Sequence, residues 1–192
     1  MAVMRKAMAA KLHNTGVPAR HLKTKLEKLE PWCEKLDILS QKLNKGGITF
    51  ALIGQRGTGK TQLAVELIRY AVSHNMECKY SRVMDFFTDV KATYHGNYMA
   101  RTEGDVVQSY FRPQLLVLDE IQDRGATDWE DRLLTHMLDK RYGALKDTLL
   151  IGNQKPEVFA STIGNSIMSR LMETGAIMEC DWESFRAPRH LG

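Results

Sequence analysis

The sequence predicts an α/β fold: a five-stranded parallel sheet with helices on both faces. Three observations predict it. Short apolar runs at 48–53, 78–83, 114–119, 147–153 and 175–180 each have the length of a strand. The segments between them carry apolar residues at helical spacing. Strands that alternate with helices pair in parallel and are buried on both faces. The third observation is local. Gly54-Gln55-Arg56-Gly57-Thr58-Gly59-Lys60-Thr61 lies between the first run and a helical segment at 62–72, giving strand, glycine-rich turn, helix.

Taken in order, residues 1–13 suit a short helix, and Asn14-Thr15-Gly16-Val17-Pro18 breaks it. Leu22, Leu26, Leu29, Cys33, Leu36 and Leu43 then form an apolar stripe, with Ser40 at the missing place. Pro31 divides the stripe into two helices and falls in the first turn of the second. Such a stripe is expected to pack on the adjacent domain. After the second strand, 85–94 reads as a helix with Phe86, Phe87 and Val90 inward. Residues 95–101 read as a loop, 105–111 as a helix and 128–142 as another. Two short helices, 156–163 and 165–173, precede the last strand.

The chain of 192 residues suits one domain, 46–192, with a helical extension at 1–45. Net charge is +4 but uneven. Residues 1–47 hold ten Lys and Arg against four acids, so the extension is basic and the rest slightly acidic. A basic arm suggests nucleic acid or an acidic partner surface; the alternative is a solvated, lysine-rich helix face. Cys33, Cys78 and Cys180 have no metal-ligand or redox spacing and read as reduced thiols of a cytoplasmic protein. No apolar run approaches the roughly 18 residues of a membrane span, so no membrane partner is expected.

The chemistry lies at strand ends, where open α/β sheets bind ligands. The glycine-rich turn fits the phosphate-binding P-loop, and its glycines let backbone N–H groups face a phosphate chain. The following helix N-terminus adds unpaired donors and its dipole. Lys60 is expected on the β/γ-phosphates and the Thr61 hydroxyl on Mg²⁺; Gln62 follows in the first turn. Asp119 and Glu120 end the third strand. Asp119 would hold Mg²⁺ beside Thr61, and Glu120 would orient the attacking water. Asn153 ends the fourth strand, where a neutral amide can reach the γ-phosphate or the water. Together these make ATP with Mg²⁺ the expected cofactor of an ATPase.

The sequence resembles the DnaC/IstB group of AAA+ ATPases, and within it the DnaC-like helicase loaders often found in phages and prophages. Gly16-Val17-Pro18-Ala19-Arg20 resembles the segment ahead of that group's ATPase core. Gly57-Thr58-Gly59-Lys60-Thr61-Gln62-Leu63-Ala64 is close to its P-loop. Leu138-Asp139-Lys140-Arg141-Tyr142 and Thr148-Leu149-Leu150-Ile151-Gly152-Asn153 resemble its Arg-Tyr helix and its strand ending in the sensor 1 Asn. Asp181-Trp182-Glu183-Ser184-Phe185-Arg186 resembles its C-terminal signature, and the likeness covers about 16–186.

The resemblance implies an ATP-driven loader that places a hexameric replicative helicase on single-stranded DNA. It implies Arg170 as an arginine finger acting on a neighbouring subunit, and so ATP-dependent self-assembly. It implies Arg186 as the sensor 2 arginine. It also places single-strand contacts between the second strand and Asp119, where Tyr94, Tyr98, Arg101 and Tyr110 combine stacking surface with positive charge. Phe86 and Phe87 are expected in the core. Two departures from the pattern are the roughly 15 residues ahead of Gly16, shorter than a full helicase-binding domain, and the expectation of no helical lid domain. Two other functions stay open. An IstB-like regulator of transposition would prefer duplex DNA, and a small-molecule P-loop kinase would carry an acceptor pocket and a mobile arginine-bearing lid near 120–140.

Overall fold

A computed structural model describes residues 9–24, 33–43, 45–95, 101–125 and 127–185. Helix α1 covers residues 9–13, followed by α2 (Ala19–Leu22), α3 (Cys33–Leu43), β1 (Thr49–Ile53), α4 (Lys60–Ser73) and β2 (Cys78–Arg82). Next come α5 (Val83–Ala92), α6 (Glu103–Phe111), β3 (Leu115–Asp119), α7 (Asp128–Gly143) and β4 (Asp147–Ile151). Then α8 (Pro156–Ile163), α9 (Asn165–Thr174) and β5 (Ala176–Glu179) complete the described chain. Pro31, Tyr98 and Arg186 lie outside the described residues.

The five strands are parallel, in the order β2-β3-β4-β1-β5. From β1 the chain crosses to the sheet edge, returns through β3, and inserts β4 beside β1. The carboxyl ends of β1, β4 and β3 therefore stand side by side. β1, β3 and β4 are buried at every residue, which is why they read as continuous apolar runs. Alternate residues serve opposite faces. Phe50, Leu52, Val117 and Leu149 meet α3 and α4, whereas Ala51, Ile53, Leu116, Leu118 and Leu150 meet the helices α5 to α9.

The described parts of the extension share the first of these cores: Leu12, Val17, Leu39 and Leu43 are buried with Leu63, Leu67 and Ala71 of α4. Of the stripe, Leu22, Leu36 and Leu43 pack on the domain, with Leu39 rather than position 40 completing the inward arc, and Leu26 and Leu29 lie outside the described residues. Cys33 is exposed. At 3.6 residues per turn it sits about 120° round the helix from Leu39. Burial raises the Cys78 thiol to about 12 and the Cys180 thiol to about 11, so neither is a ready nucleophile.

The 14–17 turn runs along the free edge of β2, where Tyr80 N–H donates to Thr15 O at 2.6 Å. Gly16 has φ +85, and a Cβ there would lie 2.6 Å from Tyr80 O, so only glycine permits the approach. No helix among the described residues is long and apolar enough to cross a membrane.

Arg141 of α7 is fully buried and ties the lower ends of the central strands together. Its guanidinium donates to the carbonyls of Tyr110, Phe111, Pro113, Gln114 and Asp147 and to Thr148 Oγ1. Burial lowers its pKa to about 10, so it stays charged at neutral pH. Arg141→Met should destabilise the protein by about 3–5 kcal/mol, because a buried set of acceptors loses its cation. Urea unfolding checks this; a change below about 1 kcal/mol would show that the clamp is dispensable.

Candidate functional site

A cleft of about 380 Å³ opens over the ends of β1, β4 and β3. Its floor is the P-loop. Gly54 has φ +134, and a Cβ there would lie 2.4 Å from Cys180 O, so the loop's first turn presses on the end of β5. The backbone bonds Gly54 N–H to Gln154 O and Cys180 N–H to Ile53 O hold this junction. Gln55 and Arg56 form the exposed crest, and Thr58 is buried beneath it. Helix α4 starts at Lys60 with no side chain capping its N-terminus. Its first N–H groups are therefore left for a ligand.

Lys60 is 5% exposed. Its Nζ donates to Gly54 O at 2.8 Å, Gln55 O at 2.6 Å and Thr58 Oγ1 at 3.3 Å, so the ammonium sits over the loop. Thr61 Oγ1 donates to Asp119 Oδ2 at 2.8 Å, joining the helix start to the end of β3. Among the described residues no group of three His, Cys, Asp or Glu could cage a metal ion. One hydroxyl and one carboxylate of this kind suit Mg²⁺ brought with phosphates and water.

Glu120 follows with φ 57 and ψ 43, a left-handed conformation uncommon for a residue with a side chain. Its N–H donates to Asp119 Oδ1 at 2.7 Å, and its Oε2 pairs with Arg82 Nε at 3.3 Å. Asn153 lines the same cleft, its backbone N–H donating to Gln122 Oε1 at 2.9 Å. The structure thus brings Lys60, Thr61, Asp119, Glu120 and Asn153 together, as their positions at strand ends predict.

Sequence reasoning missed several residues here. Arg20, His21 and Thr24 of the extension form one wall. Gln62, expected to serve the nucleotide, lines the cleft but is turned to α2. Its Oε1 meets His21 Nδ1, and its Nε2 donates to His21 O, both at 3.3 Å. The opposite wall is the tail. Trp182 Nε1 donates to Thr58 O at 2.9 Å and Phe185 N–H to Gly57 O at 3.0 Å, strapping the tail across the loop. Polar contacts between distant segments leave no periodic trace in a sequence.

The other expected residues divide. Arg170 does not line its own chain's cleft. It is held by Ser166 O at 2.7 Å and Asp139 Oδ1 at 3.0 Å, over the Tyr142 ring. Tyr94 is 52% exposed and Arg101 is exposed. Tyr110 corrects the sequence reading. It is 1% exposed, packed 4.7 Å from Phe86, with its hydroxyl donating to Asp89 Oδ2, so its ring has no face for a base. The inward face of α6 claims it, and aromatic identity alone did not reveal which face it occupied.

Gly54→Ala should weaken nucleotide binding about tenfold or more and lower the melting temperature, since the new Cβ meets backbone and the φ is strained. Gly143→Ala, with nothing within 4 Å, should alter neither adversely. Fluorescent nucleotide titration and thermal melting check both variants.

Comparison with known proteins places this arrangement. The family model described as IstB-like ATP binding protein matches residues 36–191. The replicative helicase loader DnaC of Buchnera aphidicola subsp. Acyrthosiphon pisum is 23% identical over 148 residues, which are 77% of this chain and 60% of that protein. This chain therefore spans about 60% of the length of the curated relatives it matches. A crystal structure of the DnaC helicase loader superposes with TM-score 0.68 at 18% identity, covering 88% of this chain and 98% of that one. The replication initiator DnaA bound to AMPPCP and single-stranded DNA gives TM-score 0.65 at 20% identity, over 79% and 47% of the two chains. Both structures share the α/β fold seen here, a parallel five-stranded sheet with helices on both faces. On the extent of the family match, the chain belongs to the IstB-like ATP-binding protein family.

Proposed function

We propose that this protein is an ATP-dependent loader that binds a hexameric replicative helicase and delivers it to single-stranded DNA, with ATP as the switch. The observation that carries the reading is the pair Asp119–Glu120 facing Lys60 and Thr61 in one cleft, with Asn153 between them. Lys60 and the α4 N-terminus hold the β/γ-phosphates. Thr61 and Asp119 hold Mg²⁺, which neutralises charge on the phosphates when bound. Glu120, freed from Arg82, orients the attacking water, and Asn153 reports the γ-phosphate. The second acid and the Asn suit hydrolysis by water better than phosphoryl transfer to a small acceptor.

The loader reading draws on the likeness to DnaC and on the basic extension docked at the cleft wall. Tyr94 and Arg101 are proposed single-strand contacts. A cytoplasmic setting follows from this role. A Mycobacterium tuberculosis protein named for ATP binding in an insertion sequence is 22% identical over 161 residues, so regulation of transposition through duplex DNA is the second reading.

Native mass spectrometry with a cognate helicase hexamer, with and without ATP and single-stranded DNA, tests the proposal. A defined complex that changes with ATP or DNA is expected; tight duplex binding with no helicase complex would favour the second reading. Arg170→Ala should leave nucleotide affinity unchanged and abolish the rise of ATPase rate with protein concentration. Arginine fingers contribute about 10³–10⁵ in rate. An unchanged rate at high protein concentration would remove Arg170 from the site.

A further inference from the structure

The Asp119 carboxylate is held at both oxygens by three donors, two of them from other elements. Oδ1 accepts the Glu120 N–H at 2.7 Å. Oδ2 accepts two hydroxyls, Thr61 Oγ1 at 2.8 Å from α4 and Tyr80 Oη at 2.7 Å from β2. Nothing in the roles assigned above uses the third donor. We infer that Tyr80 is a positioning residue of the metal side of the nucleotide site: its phenol fixes the angle at which Asp119 Oδ2 and the Thr61 hydroxyl meet the metal's shell. The inference rests on the reading of Thr61 and Asp119 as the metal-side groups.

The fold delivers Tyr80 to this position. In the parallel register Tyr80 lies opposite Val117, and Arg82 opposite Asp119. Side chains two apart on a strand share a face, so Tyr80 lies on the face of Val117 and Asp119. It is long enough to reach one pleat along the strand to the carboxylate. A Phe would fill the same space and donate nothing.

Three features make the phenol an anchor. First, Tyr80 is 7% exposed and Asp119 4%, so water is poorly placed to replace the hydroxyl. A buried carboxylate that loses a donor keeps its desolvation penalty and gains torsional freedom, since the terminal carboxyl torsion is broad. Second, the direction of the bond is fixed by chemistry: the Tyr80 hydroxyl donates and the Asp119 carboxylate oxygen accepts. Third, the backbone of Tyr80 is pinned from the other side. Its N–H donates to Thr15 O, and Gly16 packs against its carbonyl. β2 is an edge strand, and this contact gives it a second neighbour at the residue that grips Asp119. One strand thus serves both acids: Tyr80 holds Asp119, and Arg82 pairs with Glu120.

The test is the Mg²⁺ dependence of binding of a fluorescent ADP to the wild type and to Tyr80→Phe, in EDTA and along a Mg²⁺ series. Affinity in EDTA should stay within about twofold of wild type. The Mg²⁺ concentration giving half of the metal-dependent gain should rise about tenfold, the scale of one hydrogen bond to a charged group. A shape-filling role alone would lower the melting temperature and leave the Mg²⁺ midpoint unmoved; that result overturns the inference. Asp119→Asn separates the layers. If wild-type affinity ignores Mg²⁺, or if Asp119→Asn keeps the response, the metal-side reading itself fails and the inference falls with it. Should Tyr80→Phe not fold, 3-fluorotyrosine placed at position 80 keeps the donor and reports by ¹⁹F NMR. Its resonance should move when Mg²⁺ joins the ADP complex, and a stationary resonance overturns the inference.

Discussion

The buried guanidinium of Arg141 is the constraint on which the central sheet depends. Its hydrogen bonds gather the end of α6, the approach to β3 and the start of β4 around one cation. The start of β4 carries its own buried acid: Asp147 Oδ1 accepts the Ile48 N–H at 3.0 Å ahead of β1, and Oδ2 accepts Gln114 Nε2 at 3.3 Å. Burial raises the Asp147 carboxyl above the usual carboxylate range, while its bonds and Arg141 oppose that rise. The starts of β1, β3 and β4 are therefore fixed in one polar knot. Strands of five residues and fixed rise then carry that alignment to their far ends.

Those far ends are where the chemistry lies. Lys60, Asp119 and Asn153 lie at or just beyond the carboxyl ends of three neighbouring strands because β4 inserts between β1 and β3. The cleft is completed by parts that the sheet does not supply. Helix α2 reaches it through the paired contacts of His21 and Gln62, and Arg69 of α4 donates to Leu22 O at 2.7 Å. The tail crosses the loop through Trp182 and Phe185. A basic extension and a tail that both touch the nucleotide cleft give a partner bound at either one a physical route to the ATP site.

Much of this was legible in the sequence, for identifiable reasons. The strands were legible because burial on both faces turns them into unbroken apolar runs, as in 115–118. The P-loop was legible because its spacing and its flanking strand and helix are strictly local. The strand-end acids needed only the order of elements. What was not legible is long-range and polar. The Tyr80–Asp119 contact spans 39 positions and the His21–Gln62 pair 41, and neither has a periodic or motif signal. Tyr110 was misread for a related reason: an aromatic near basic residues has the same composition whether its helix face points in or out. In α3, an apolar thiol at Cys33 extended the stripe in sequence but sits beyond the arc that meets α4.

The cleft over β1, β4 and β3 should bind one ATP through Lys60. Isothermal titration calorimetry with a non-hydrolysable ATP analogue and Mg²⁺, on the wild type and on Lys60→Ala, measures this. One nucleotide per chain is expected, with affinity reduced about a hundredfold or more in the variant, as when a charge-assisted contact to phosphate is removed. Equal binding by both proteins, or no binding by the wild type at millimolar nucleotide, would contradict it.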